Sequence, residues 1–301
     1  MEECMYINHN QMASNVANTL TSHYGNLQTS TKRLSTGLRV NSAADDAAGL
    51  AIRELMRTDI TALQQGVRNA NDAISLIQTA DGALGVIDEK LTRMKELAEQ
   101  AATGTYDSTQ RLMIESEYQA MASEITRIAN ATDFNGIHLL NGNLSGSTHS
   151  GAALSATGKL KVHFGTANDS AEDYYYIQIG TSTASALGVG NQATASSATA
   201  DARTVSTQAQ AQKALVGLTN AVVSKDKIRA HLGALQNRLE NTISNLTTQS
   251  ENLQAAESRI SDVDVATEMT SFVRNQILTQ SSVAMLSQAN SMQQMAMQLI
   301  G

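Results

Sequence analysis

The sequence predicts a mainly α fold: a long antiparallel helical bundle or coiled-coil rod, with a small β-hairpin insertion and two terminal helices able to pair. Three observations carry this. Apolar residues recur at alternating steps of four and three along two long stretches. The 301 residues contain no Pro, where average usage of about 5% would give roughly 15, so nothing kinks those stretches. Between them the period changes from 3.6 to 2.

The first element is an amphipathic stripe near the N-terminus, formed by Met12, Val16, Leu20, Tyr24, Leu27, Leu34 and Leu38. A long helix follows over about 43–102. Its apolar residues are Ile60, Leu63, Val67, Ala70, Ile74 and Ile77, then, after a slip near Ala80, Leu84, Ile87, Leu91, Met94, Ala98 and Ala101. Ser42-Ala43-Ala44-Asp45 has the pattern of a capping box at its start, and Gly104 is a stop signal. At 1.5 Å per residue such a helix is about 90 Å long, and a stripe of that length has to be buried in a bundle. A third helix is predicted over about 107–130 from Leu112, Tyr118, Met121, Ile125 and Ile128.

The β-hairpin region spans about 135–180. Leu160, Val162 and Phe164 alternate with polar residues, as do Tyr175, Ile177 and Ile179, around the turn-forming Asn168-Asp169-Ser170. Asn135-Gly136 and Asn141-Gly142 are further turn signals. Residues 181–207, rich in Ser, Thr, Ala and Gly, read as an exposed variable loop. Helical spacing returns over about 205–257, with Leu215, Leu218, Val222, Ile228, Leu232, Leu235, Leu239, Ile243, Leu246 and Leu253. The far end carries Met285, Met292, Met295 and Leu299 on a second terminal stripe. The resulting division is 1–42 with 258–301 as one terminal domain and 43–257 as a rod domain. Each terminal stripe lacks a local cover, so it is expected to bury itself against the other or against further copies of the chain.

Composition narrows the function. The net charge is −7, and the 21 Lys and Arg are scattered, which argues against a nucleic-acid partner. No uncharged apolar run reaches the ~20 residues of a membrane span. Met1-Glu2-Glu3-Cys4 is acidic where a signal peptide would be basic, so export is expected to need no cleaved signal. Cys4 is the one cysteine and forms no intrachain disulfide; it reads as a bystander thiol.

The six histidines, His9, His23, His138, His149, His163 and His231, lack zinc-site spacing. Asp262, Asp264 and Glu268 lack the Gly and the further oxygen ligands of a calcium loop, and read instead as charges complementing a helix N-terminus. No phosphate loop and no nucleophile elbow occurs. No metal, cofactor or catalytic role is expected; the sequence reads as a structural protein.

Two runs resemble a known family. Lys32-Arg33-Leu34-Ser35-Thr36-Gly37-Leu38-Arg39-Val40-Asn41-Ser42-Ala43-Ala44-Asp45-Asp46-Ala47-Ala48-Gly49, followed by Arg68-Asn69-Ala70-Asn71-Asp72-Ala73, is similar to the N-terminal signature of bacterial flagellin. Ser258-Arg259-Ile260-Ser261-Asp262-Val263-Asp264-Val265-Ala266-Thr267-Glu268 and Ala284-Met285-Leu286-Ser287-Gln288-Ala289-Asn290 resemble its C-terminal motif. With Phe134-Asn135-Gly136, the resemblance covers roughly 5–142 and 205–300. Gln293 stands where relatives often have Pro, so the last helix is expected to run unbroken.

The resemblance implies a secreted, self-assembling subunit of the extracellular flagellar filament, with the terminal helices as an inner tube domain. It further implies export through the flagellar type III apparatus with a flagellin export chaperone, and contacts with hook–filament junction and cap proteins. Filament assembly would rest on Leu20, Leu27, Leu34, Met285, Met292, Met295 and Leu299, and the hairpin residues Val162 and Ile177 would be the conformational switch. Leu91 through Gln100 resembles the surface read by Toll-like receptor 5, with Arg93, Leu97, Gln100 and Glu117 as contact positions. From spacing alone, Leu97 is as well explained by rod packing. The alternatives are a hook–filament junction protein and an intracellular coiled-coil scaffold.

Overall fold

The computed structural model describes residues 9–146, 158–169, 172–190 and 203–300. Cys4, His149 and the part of the expected loop over 191–202 lie outside the described residues. The elements are α1 (Gln11–Thr36), α2 (Ala47–Ala102), α3 (Ser108–Ala131), β1 (Asp133–Phe134), β2 (Ile137–His138), β3 (Leu160–His163), β4 (Tyr174–Ile177), α4 (Ala184–Leu187), α5 (Gln208–Ser261) and α6 (Val265–Ile300). They fall into two compact units, residues 1–60 with 251–301 and residues 61–250, divided inside the long helices α2 and α5 rather than at 42 and 258.

In the first unit α1 and α6 pack antiparallel. Asn10 caps α1, its side-chain oxygen accepting from the Ala13 N–H at 2.9 Å and its amide donating to the Ala289 carbonyl at 3.1 Å. At the other end Arg33 lies 3.7 Å from Glu268, and Gly37 (φ 73°) closes α1 by donating its N–H to the Arg33 carbonyl. The α1 seam runs through Ala13, Val16, Leu20, His23, Leu27, Ser30 and Leu34, at alternating steps of three and four. Both chain passes break at the same level, and backbone bonds join the breaks: Arg39 N–H donates to the Ser261 carbonyl at 2.7 Å, and Val263 N–H to the Gly37 carbonyl at 3.0 Å. α6 continues without interruption through Gln293 to Ile300.

The capping signal at Ser42–Asp45 makes a turn of its own instead of starting α2. The Asp45 carboxylate accepts from the Ser42 hydroxyl and from the Asn41 and Ser42 N–H groups, and these bonds hold it below the usual carboxylate range. The helix begins at Ala47, where Asp46 accepts from the Gly49 N–H at 2.9 Å.

In the second unit α2, α3 and α5 enclose one core. The expected slip near Ala80 is absent: Ile77, Ala80, Leu84, Ile87, Leu91, Met94, Ala98 and Ala101 form one buried stripe. In α3 the inward residues are Ile114, Tyr118, Ala122, Ile125 and Ala129, while Leu112, expected in the core, is 58% exposed beside exposed Met113. Gln110 accepts from the Asp107 N–H at the start of α3, and the turn that results places 114 and 118, not 112, on the inner face. Burial pushes the Tyr118 phenol well above its ordinary value, with Glu115 adding to the effect.

The β3–β4 hairpin is antiparallel, pairing Leu160 with Ile177 and Val162 with Tyr175. Its apolar face is buried on the helices, and two clips hold it there. Asn69 of α2 donates to the His163 carbonyl at 2.8 Å, and the Arg238 guanidinium of α5 sits 3.6 Å above the Tyr175 ring. The Thr242 hydroxyl and Arg238 lower the Tyr175 phenol below its usual range. A second, tight hairpin joins β1 and β2 through Asn135 (φ 51°) and Gly136 (φ 78°), both in the left-handed region that a two-residue turn demands. The stretch expected as an exposed loop is packed over 181–190: Ser182, Ala184, Leu187 and Val189 are buried around α4. Small side chains fit there because the backbone approaches α3 closely, and a Cβ on Gly190 would collide with Ala122.

Candidate functional site

The terminal helices carry the surface with the clearest functional signature. α6 contributes Phe272, Asn275, Thr279, Ser282, Leu286 and Ala289 to its inner, less exposed heptad line, a set dominated by small and polar groups. Phe272 and Leu286 are the large apolar residues of that line, whereas Val273, Ile277, Val283, Met285, Met292 and Met295 are all exposed. On α1, Met12 and Tyr24 are likewise exposed, and Tyr24 borders a shallow groove with Leu27, Gln28 and Lys32. A soluble helix ordinarily keeps most of its larger apolar side chains inward, so this many outward ones mark a face that needs a further partner.

The residues expected to act in assembly therefore separate into two groups. Leu20, Leu27 and Leu34 are half-buried in the intrachain seam and hold α1 on α6. Met285, Met292 and Met295 face away from it. The Leu299 side chain lies outside the described ones.

Arg93, Gln100 and Glu117 lie on an exposed face of the second unit. The Arg93 guanidinium donates to Glu117 at 2.8 and 3.0 Å and to Glu96 at 2.9 Å, and these bonds raise its pKa, Glu117 contributing most. Gln100 donates to the Tyr106 hydroxyl at 3.0 Å. Leu97 does not join them. It is 2% exposed, packed in the core, because in the step from 94 to 98 both 97 and 98 fall on the buried arc of α2. Val162 and Ile177 are also buried, beneath the hairpin.

The three carboxylates near the α5–α6 break have separate partners. Asp262 accepts from the Ser258 hydroxyl at 2.5 Å, and Glu268 faces Arg33. Asp264 caps α6 through the Thr267 hydroxyl and the Ala266 and Thr267 N–H groups, which hold it below its ordinary pKa. Among the described residues no group of three His, Cys, Asp or Glu side chains is placed to hold a metal ion, and no described helix is long and apolar enough to cross a membrane.

One buried site was missed by sequence reasoning. Lys225 of α5 is 1% exposed and donates to Asp88 of α2 at 2.6 Å, and Arg229 donates to Asp81 at 2.7 Å. The available signal was the gap in the apolar series between Val223 and Ile228, a full turn without a large apolar residue.

The chain matches two family profiles, described as the bacterial flagellin N-terminal helical region over residues 7–145 and the bacterial flagellin C-terminal helical region over residues 215–300. It is 43% identical over 309 residues to a flagellin of Bacillus subtilis, covering 98% of this chain and all of the relative. It is 40% identical over 296 residues to the flagellar filament 33 kDa core protein of Treponema phagedenis, with the same coverage. Among solved structures it is similar to Bacillus cereus flagellin, at 28% identity over 63% of this chain and 94% of that one, with a TM-score of 0.46. A putative flagellar hook-associated protein of Vibrio parahaemolyticus shares the fold at 14% identity and a TM-score of 0.54, covering 72% of this chain and all of that one.

Proposed function

From the premise that the chain belongs to the bacterial flagellin family, we propose that it is exported unfolded through the flagellar type III apparatus and polymerises outside the cell into a motility filament. It is a filament subunit and a structural protein, as the family is. The observation that carries the assembly mechanism is the outward apolar face of α6, which leaves Ile277, Val283, Met285, Met292 and Met295 exposed while only Phe272 and Leu286 supply large apolar groups to the inner line. Burying the exposed half of a side chain such as Ile277 or Met285 contributes on the order of 1 kcal/mol, so a few such residues per subunit suffice to drive lateral association. The intrachain α1–α6 seam supplies a preformed unit whose outer face is then covered by other copies.

In this reading an export chaperone covers the same face before secretion, and hook–filament junction and cap proteins meet it at the ends of the polymer. The β3–β4 hairpin, with Val162 and Ile177 beneath it, takes part in choosing subunit register and hence filament curvature. Arg93, Gln100 and Glu117 form the face offered to Toll-like receptor 5, and Leu97 supports that face from below.

The test is electron microscopy of purified monomer after a precipitating salt or short seeds are added. Long tubes that disappear when residues 258–301 are removed support the reading. A chain that stays monomeric under all of these conditions overturns it. Unaltered waveform and swimming in Val162→Ala and Ile177→Ala strains would remove the hairpin from the register choice.

A further inference from the structure

The inner stripe of α5 runs Leu218, Ala221, Lys225, Ile228 and Leu232 at alternating steps of three and four, so a lysine occupies a core position. Its ammonium donates to Asp88 Oδ1 of α2 at 2.6 Å and lies 2.7 Å from Asp226 Oδ1. One turn further along α5, Arg229 Nε donates to Asp81 Oδ1 at 2.7 Å. Asp81 and Asp88 are two turns apart on α2, so the two bonds form successive rungs between antiparallel helices.

The buried rung is not the most stabilising choice for its place. Removing an ammonium from water is costly, and an apolar side chain of similar volume fills a core position as well or better. What a buried charge does supply is discrimination. In helical bundles a single Lys or Asn at a core position favours the one alignment that provides its partner and penalises the others. Around Lys225 the penalty is built in, because the α2 stripe near Asp88 consists of Leu84, Ile87 and Leu91, all fully buried. A shift of α5 along α2 moves the ammonium off Asp88 and toward hydrocarbon, leaving it only Asp226, its more exposed neighbour on the same helix.

We propose that Lys225 is a positioning residue: with Asp88 it fixes the axial register and facing of α5 on α2, giving up stability for a single alignment of the rod helices. Arg229–Asp81 is the outer, partly exposed rung of the same device. This role belongs to the isolated chain and does not depend on polymerisation.

The test is a distance distribution between spin labels at Glu89 and Lys227, both exposed, measured on the full-length monomer in a Cys4→Ser background together with thermal melts. Three variants are compared with the parent: Lys225→Met, Lys225→Met/Asp88→Leu and Lys225→Arg. The expected result is that both Met variants melt within a few degrees of the parent or above it, while their distance distribution broadens or gains a second peak. Asp88, 38% exposed at its side chain, returns to water in the single variant and is absent from the double. Lys225→Arg restores a single narrow peak. Narrow, parent-like peaks in the Met variants overturn the proposal. So does a double variant that fails to fold or melts far below the parent, since the pair would then be a source of stability and not of alignment.

Discussion

Gly66 offers a sharp test of how the hairpin is held on α2. It sits on the buried side of that helix, and a Cβ built there would lie 2.8 Å from the Phe164 carbonyl carbon and 2.9 Å from its Cα, with the carbonyl oxygen closer still. These are backbone atoms just beyond β3, so no side-chain rotation relieves the clash. Replacing Gly66 by Ala gains about 1 kcal/mol of helix propensity. It also lifts Phe164, itself 3% exposed, and stretches the Asn69–His163 bond, costs of about 1.5–3 kcal/mol for the packing and about 1 for the hydrogen bond if both were lost outright. The net is a destabilisation of about 1–3 kcal/mol, which for a unit of this size lowers the melting temperature by about 3–9 °C. Gly82 lies on the same helix with nothing within 4 Å of its virtual Cβ, so Gly82→Ala should raise the melting temperature by about 2 °C. Thermal melts followed by circular dichroism compare the two directly, and hydrogen exchange should show β3 amides deprotected only in the Gly66 variant. If Gly66→Ala melts at or above Gly82→Ala, the close approach of β3 to α2 is not what secures the hairpin.

Other perturbations separate the remaining surfaces. Leu97→Ala should cost about 2–5 kcal/mol, as cavity-forming core substitutions do, whereas Gln100→Ala should leave the melt unchanged; equal effects in a melt would contradict the buried position of Leu97. Ile277→Glu on the outward face of α6 should leave monomer helicity and melting intact yet abolish sedimentable polymer, and undiminished polymer yield would remove that face from assembly. Asp264 titrates below its ordinary value in the folded chain, so its contribution to the α6 N-terminus is complete above about pH 4–5 and disappears as pH falls through the depressed folded pKa. Protection factors of the Ala266 and Thr267 amides, which correct for the intrinsic slowing of exchange in acid, should therefore fall on acidification. Asp264→Asn, which still accepts at the cap but does not ionise, should flatten that response, and a persistent acid response in this variant would assign it to another group.

The long helices were legible because periodicity is written locally: every residue of the α2 stripe finds its face from its own position along the chain. Hairpin, turn and break signals are equally local, and Asn135-Gly136 specifies its turn through two left-handed residues alone. The flagellin signatures placed the terminal helices together at opposite ends of the sequence, and the family follows from the same residues. Other properties needed partners distant in sequence. Whether 112 or 114 points inward depends on how α3 is capped and docked, and whether a chain of Ser, Ala and Gly at 181–190 is loop or core depends on how near α3 comes to it. Spacing allowed Leu97 to pack the rod while the family resemblance set it among surface contact positions, and only the packing of α2 against its neighbours shows it buried. α6 is apolar on nearly every side, so its sequence could not say which residues face α1, and only the docked pair shows Phe272 and Leu286 inside among small and polar residues while Ile277 and Met285 lie outside. Lys225 is the clearest case: besides its neighbour Asp226, the partner that meets it across the core at 2.6 Å is Asp88, 137 residues away. Local pattern determined which segments are helices and strands, since backbone geometry repeats over a few residues. Tertiary structure decided which side chains share a face with which partner, because burial and pairing are properties of surfaces that meet only once the chain has folded.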